Sequence, residues 1–137
     1  MREEYIRKIF NECNVSRLLG IEICEVREGF AKGRFTVKTE HLNVFGNTHG
    51  GIVFAFADHI GGACGNSLGK KAILVESVIQ YLKGAVVGET IYGEAVFTYS
   101  GKKIGRIDIR IYNDRDELIA LVHQVSYTSE NEHPAET

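Results

Sequence analysis

Apolar residues recur at two spacings along this chain, helical and strand-like, and the spacing switches as the chain proceeds. Tyr5, Ile6, Ile9, Phe10 and Cys13 stand at helical intervals among Arg, Lys and Glu, which predicts a short amphipathic helix over residues 3–13. Strand-like stretches follow at 21–27 and 31–39, with Glu28 and Gly29 between them as a hairpin turn. Residues 40–48 are polar and turn-forming. From 49 to about 67 the chain is apolar and rich in glycine, which predicts one long helix. Thr48 is the expected N-cap, and Gly65 and Gly69 lie where the helix should fray and stop. Beyond Gly69 the composition turns β-branched and aromatic, and strands are predicted over 72–82, 90–100, 103–112 and 117–128. In the third of these, Ile107, Ile109 and Ile111 alternate with Arg106, Asp108 and Arg110, the mark of a sheet with one buried and one wetter face.

The order is therefore helix, two strands, one long helix, four strands. Short turns between successive strands make the sheet antiparallel and the fold class α+β. The long helix is apolar around almost its whole circumference, so it is expected to be buried. A strongly curved sheet wrapped around it is the simplest cover. Gly61 and Gly62 are expected to let helix and sheet backbones approach closely. At 137 residues the chain is long enough to bury a real core, and residues 1–128 are read as a single domain. The tail 129–137, SENEHPAET, has no apolar period and is expected to be disordered.

Composition narrows the function by exclusion. A net charge of −2 gives no global attraction to nucleic acid or to an anionic membrane. The three cysteines, Cys13, Cys24 and Cys64, have no CxxC spacing, and an odd number suits reduced thiols. The N-terminus lacks an uninterrupted apolar signal segment. The apolar run from Gly50 is cut after eight residues by Asp58 and His59, far short of a membrane span. A cytoplasmic protein is the expectation.

Chemistry enters with Asp58. A carboxylate in the middle of a buried apolar helix is costly unless hydrogen bonds or a changed protonation state offset it, and dehydration raises its basicity. The first amides of the same helix are unpaired and lie at the positive end of its dipole. Gly50 has no side chain to shield its N–H from an oxyanion. A metal centre is not supported: His49 and Asp58 are nine residues apart, on different helix faces, and no i,i+4 ligand pair is present. There is no GxSxG nucleophile motif either.

The stretch Asn43-x-x-Gly46-x-x-His49-Gly50-Gly51-x6-Asp58 resembles the hotdog-fold acyl-CoA thioesterases of the phenylacetate-degradation (PaaI-like) branch, and the resemblance runs from about Gly20 to Thr128. It implies hydrolysis of small or medium, including aromatic, acyl-CoA thioesters by a homo-oligomer, with no metal or cofactor beyond the coenzyme A of the substrate. It also implies roles: Asp58 as the carboxylate that attacks the thioester or activates water, the Gly50 N–H polarising the thioester carbonyl, and His49 and Asn43 shaping the site. Gly51, Phe54 and Tyr81 are expected substrate contacts, as is Phe56 as a pocket-lining residue. Lys70, Lys71, Lys83, Lys102, Lys103 and Arg106 are the basic residues available to coenzyme A phosphates, with Lys83, Lys102 and Lys103 the expected contacts. This chain has Leu74 where some relatives carry Ser or Thr, and Gly84 where relatives often carry Pro.

Gly50 and Asp58 are eight residues apart, about 12 Å along a helix rising about 1.5 Å per residue, too far to grip one thioester from one chain. An isologous dimer with antiparallel helices would bring one chain's Gly50 to the other's Asp58. Beyond that, the family resemblance implies dimers of dimers. The alternative function is a non-catalytic acyl-CoA binding or sensor module of the same fold; a dehydratase of that fold would need a differently spaced histidine and acid.

Overall fold

The structure is a computed structural model that describes residues 2–134. Helix α1 (Arg2–Asn11) leads into a short second helix, α2 (Asn14–Leu19). Strands β1 (Glu22–Arg27) and β2 (Phe30–Thr36) form a hairpin, and a 3-10 turn (Thr39–His41) precedes the long helix α3 (Gly50–Asn66). Strands β3 (Lys70–Tyr81), β4 (Thr90–Ser100), β5 (Ile104–Asn113) and β6 (Leu118–Glu132) complete the chain. All six strands join one antiparallel sheet in the order β1-β2-β4-β5-β6-β3. The α+β expectation holds, with the sheet folded around α3.

The core lies between α3 and the inner face of the sheet. Ile107, Ile109 and Ile111 are buried and Arg106 and Arg110 exposed, as their alternation requires. Phe35, Phe56, Ile60 and Ile91 fill the centre. Gly93 on β4 is what lets α3 settle so close: a Cβ there would lie 2.5 Å from Ile60 Cδ1 and 3.1 Å from the Phe56 ring.

Five expectations need correction. The helix expected over 3–13 stops at Asn11, because that side chain grips β1: its Nδ2 donates to the Ile23 carbonyl at 3.0 Å and its Oδ1 accepts the Ile23 N–H at 2.7 Å. The cap of α3 is His49, whose Nδ1 accepts the Gly51 N–H at 2.8 Å. Thr48 instead donates both its amide and its hydroxyl to the Ala85 carbonyl, at 2.8 and 3.2 Å. Phe56, expected in a substrate pocket, is fully buried in the core against Phe35. The tail from 129 does not begin disordered: β6 continues to Glu132 opposite Lys70, and the His133 N–H reaches the Gly69 carbonyl at 2.8 Å. Main-chain pairing with β3 needs no apolar period. Residues 135–137 lie outside the described part.

The fifth correction concerns α3 itself. It is not covered all round. Gly51 and Asp58 are exposed and Phe54, Ala55 and Gly62 only half-buried, positions that share one stripe at helical spacing. That stripe opens between the edge strand β3, which meets α3 at Gly50 and Gly65, and α1, whose Phe10 meets it at Gly62 and His59. No helix among the described residues is long and apolar enough to cross a membrane.

Candidate active site

The approach to α3 is fixed by backbone. Leu42 and Thr48 form an isolated bridge, the Asn43 N–H donates to the Asn47 carbonyl at 2.7 Å, and the His49 N–H donates to the His41 carbonyl at 2.7 Å. The Asn43 side-chain carbonyl accepts the N–H groups of Phe45 and Asn47 at 2.9 and 3.1 Å, an Asx turn that closes the loop. Its amide NH₂ donates to nothing among the described residues. Gly46, at φ 83°, takes the left-handed conformation that this tight loop requires.

The first turn of α3 then disposes of its amides unequally. Gly51 donates to the His49 ring, and Ile52 and Val53 donate to the His49 carbonyl at 2.9 and 3.2 Å. An Nδ1 that accepts carries no proton, so the neutral His49 ring holds its proton on Nε2. The Gly50 N–H has no partner among the described residues, and it lies at the positive end of the α3 dipole. Next to it is a pocket of about 440 Å³ lined by Asn43, Asn47, Thr48, Val53, Tyr81 and Lys83, with Ala85, Ile91 and Ile119 at its apolar base. The Tyr81 hydroxyl donates to the Gly50 carbonyl at 3.0 Å, and a Cβ on residue 50 would come within 3.1 Å of that ring. Glycine is what fits under Tyr81.

Of the expected site residues, the pocket gathers Asn43, Gly50, Tyr81 and Lys83, with His49 holding the turn beside it. Lys83 does not stand free: its Nζ pairs with Glu117 at 3.1 Å. Glu117 also accepts from Asn113 and Arg115, and these donors together hold its carboxyl down at about 2. Gly51 spends its N–H on the cap. Phe54 is on the open stripe, away from this pocket.

Lys102 and Lys103 do not join the site within one chain. Tyr81 pairs with Ala120, whereas the Lys103 carbonyl accepts from Thr128, eight residues further along β6, about 26 Å at about 3.3 Å per strand residue. Both lysines occupy the β4–β5 turn at the far end of the sheet.

Asp58 is exposed on the single chain rather than sealed in the core, and among the described residues it makes no hydrogen bond or ion pair. Its carboxyl is nevertheless raised above the ordinary value of 3.8, chiefly by desolvation, with a smaller opposing influence from His59. The two observations agree if the carboxylate stands on the rim of an apolar stripe, open on one side. His59 turns the other way and is structural: its Nε2 meets the Phe10 carbonyl at 2.8 Å, and burial lowers its pKa. Cys64 is buried, its thiol pushed up to about 12, an unreactive core residue.

Sequence reasoning missed Asn47, Ala85 and Ile119 as parts of the pocket. Gly84 was the available signal: a Cβ there would meet the Asn47 side chain at 2.8 Å, so the absence of a side chain at 84 makes room for the loop that lines the site.

A profile of the Thioesterase superfamily matches residues 45–120. An inferred esterase of Archaeoglobus fulgidus is 38% identical over 117 residues, 85% of this chain and 76% of the relative. The acyl-coenzyme A thioesterase PaaI of Escherichia coli is 33% identical over 112 residues, 82% of this chain and 80% of the relative. The structure of E. coli PaaI, from the phenylacetic acid degradation operon, superposes with a TM-score of 0.88 at 30% identity over 91% of each chain. A hypothetical thioesterase of Streptococcus pneumoniae, solved with coenzyme A, superposes with a TM-score of 0.85 at 25% identity over 92% of this chain and 98% of its own.

Proposed function

The chain is a PaaI-like, hotdog-fold member of the Thioesterase superfamily, and we propose that it hydrolyses small or medium acyl-CoA thioesters, aromatic ones included, at sites shared between two copies. The observation that carries this reading is the solitary Gly50 N–H at the mouth of a pocket. Thioester hydrolysis needs a preorganised donor where negative charge develops on the carbonyl oxygen, and removing one such donor costs ~10²–10³ in rate. The free Asn43 amide beside it is a second donor to the same oxygen. The apolar base of the pocket suits a hydrocarbon or aromatic acyl group. No step calls on a metal or an added cofactor.

The base is Asp58. A raised carboxyl pKa brings it closer to the operating pH, where general-base transfer is most effective. Asp58 and Gly50 of one chain stand about 12 Å apart along α3 at about 1.5 Å per residue, so Asp58 serves the Gly50 of a second copy. Two surfaces await such a copy: the open stripe of α3 and the edge of β3, where Ile73, Val75 and Val78 are more than half exposed. A long apolar edge strand in a soluble protein needs a cover. Lys102 and Lys103, remote within one chain, reach coenzyme A phosphates in this reading from the partner, while Lys83 does so at the rim of the pocket, still tethered by Glu117.

Asp58→Asn is expected to lower kcat by two orders of magnitude or more with acyl-CoA affinity retained; a kcat near that of the unmodified chain would remove Asp58 from the mechanism. Acyl-CoA binding with no turnover across a substrate panel would instead favour the sensor alternative. Sharing has its own test. Gly50→Pro deletes the N–H at a helix position that tolerates proline, after a residue already extended at ψ 137°. Its Cβ would lie 3.1 Å from the Tyr81 ring, so the exposed Tyr81 side chain must swing aside, and Tyr81→Ala measured alone controls for that displacement. Unfolding and refolding Asp58→Asn with Gly50→Pro as an equal mixture gives heterodimers with one intact site. Activity should return to roughly a quarter of the unmodified level, as random pairing of a two-fold dimer requires. No recovery would mean that each chain works alone.

A further inference from the structure

Asn47 stands in the wall of the pocket beside Gly50 with its main chain fixed and its side chain unspent. Its N–H donates to Asn43 Oδ1 at 3.1 Å and its carbonyl accepts the Asn43 N–H at 2.7 Å. The side-chain amide, with two N–H donors and a carbonyl acceptor, makes no hydrogen bond among the described residues. It lies against Gly84, where a Cβ would come within 2.8 Å of Asn47 Oδ1 and 2.9 Å of its Cγ. Gly84 is not one of the glycines held at positive φ, so its backbone does not call for glycine. What glycine provides at 84 is room for the Asn47 amide.

Two stretches of chain run side by side along the pocket. Tyr81 meets Gly50, Gly84 meets Asn47, and the Ala85 carbonyl meets Thr48. Asn47 is thus three residues from Gly50, at most about 10 Å at about 3.3 Å per residue. A hydrogen bond of about 3 Å at each end leaves about 4 Å between a carbonyl oxygen held by Gly50 and a polar atom held by Asn47. That is the reach of a substituent on about the third or fourth carbon of an acyl chain. The substituent is neutral. Among the described residues the only charged one lining the pocket is Lys83, and Glu117 takes its Nζ at 3.1 Å. Neither a carboxylate nor an ammonium would find a free counter-charge there, and an unpaired charge is far costlier to enclose than a paired hydroxyl.

We propose that Asn47, seated over Gly84, selects short aliphatic acyl groups that carry a neutral hydroxyl about three or four carbons along from the thioester carbonyl. This rests on the thioesterase reading above and names the acyl class within it. The substrate hydroxyl donates to Asn47 Oδ1 or accepts from its Nδ2. Either bond lays the chain along the apolar base of Ala85, Ile91 and Ile119 with its carbonyl at the Gly50 N–H. An acyl group without the hydroxyl covers the amide and leaves it unpaired, and that penalty is the source of the discrimination. Asn47 is half-buried, so the discrimination is that of one hydrogen bond between neutral groups.

The test is the ratio of kcat/KM for β-hydroxybutanoyl-CoA over butanoyl-CoA in the unmodified chain, Asn47→Leu, Asn47→Asp and Gly84→Ala. The same ratio for hydroxyphenylacetyl-CoA over phenylacetyl-CoA separates a chain hydroxyl from a ring hydroxyl. The unmodified chain should favour β-hydroxybutanoyl-CoA about three- to tenfold, the worth of one neutral hydrogen bond. Asn47→Leu, of similar size, should bring the ratio to about one, and Gly84→Ala, which pushes the amide aside, should lower it. Asn47→Asp keeps an acceptor for the hydroxyl and should keep the preference. Both substrates meet the same protein, so a variant that folds less fully loses rate on both and leaves the ratio intact. A ratio near one in the unmodified chain, a preference that survives Asn47→Leu, or one confined to the ring pair would overturn the proposal and leave hydrolysis itself standing. No turnover of any acyl-CoA would overturn the thioesterase reading and this one with it.

Discussion

The two long faces of α3 are built from the same kind of sequence and end in opposite conditions. On one face Phe56, Ile60 and Cys64 are fully buried, with Phe56 edge-on to Phe35 at 4.9 Å and Ile60 pressed onto Gly33 and Gly93. On the other, Gly51, Phe54 and Asp58 face outward between β3 and α1. Hydropathy does not separate the two faces, since Phe54 and Phe56 are the same residue two positions apart. What separates them is cover. The sheet curls far enough to seal one side and stops at β3, and the side left open holds Asp58, the base of the mechanism proposed above. The sealed face supplies rigidity, so that an amide at one end and a carboxylate halfway along are held at fixed separation.

Truncating each phenylalanine separates the faces most strongly. Phe56→Ala should destabilise the chain by about 3–5 kcal/mol, as expected for a large aromatic removed from a core that cannot collapse around the void. Phe54→Ala should cost far less in equilibrium denaturation of the single chain and show its effect in KM. Equal losses from the two would mean that the open stripe is packed as tightly as the core.

Gly61 sharpens the comparison at the boundary between the faces. Alanine there gains helix propensity of up to about 1 kcal/mol but drives a methyl into Gln124, whose Oε1 a Cβ on residue 61 would meet at 1.8 Å. Gly61→Ala should therefore be destabilising by about 1–3 kcal/mol, the usual range for overpacking. In a Gln124→Ala background the same change should become neutral or stabilising. The double-mutant cycle reads the coupling directly; additive effects would show that Gly61 and Gln124 are not in contact.

Most of the fold was legible because burial imposes a period on the sequence, as Ile107, Ile109 and Ile111 show. The features that escaped depend on something other than hydropathy. Residues 129–132 join β6 through main-chain bonds to β3, which leave no apolar trace. The break at Asn11 follows from one side chain reaching a strand twelve positions away. His49 displaces Thr48 as the cap because Thr48 is already engaged by Ala85, a long-range contact. At the candidate site, the motif pointed to Gly50 and Asn43, which line one pocket, and to Asp58, which stands apart on the open stripe of α3, but nothing local could say that Lys102 and Lys103 lie at the far end of the sheet. The burial of Gln124 was readable by parity, since it shares the inward face of β6 with Ala120, Val122 and Ser126, all buried; its hydrogen bond to Ser77 was not, because that pairing depends on the β3–β6 register.

Two carboxylates should respond to acid in opposite directions, and the smallest expected effect lies there. Glu117 is held at about 2, well below its ordinary 4.5, by Asn113, Lys83 and Arg115. It binds protons less readily folded than unfolded, so the stability it confers is complete above about pH 4.5 and fades as the pH falls toward 2. Asp58 is raised above 3.8 by desolvation. It binds its proton more tightly in the folded chain, so its ionisation detracts from stability above its folded pKa, and that deficit disappears as the pH falls back through it. Asp58→Asn, uncharged at every pH, should thus melt slightly above the unmodified chain at pH 7, on the order of a degree for a half-exposed group. The gap should narrow toward pH 4. Glu117→Gln should melt lower at pH 7 and lose its difference near pH 2. Melting curves of the three proteins from pH 7 to pH 2 decide the matter. An Asp58→Asn chain that melts lower at pH 7 would show that the carboxylate holds the fold together instead of standing ready for substrate.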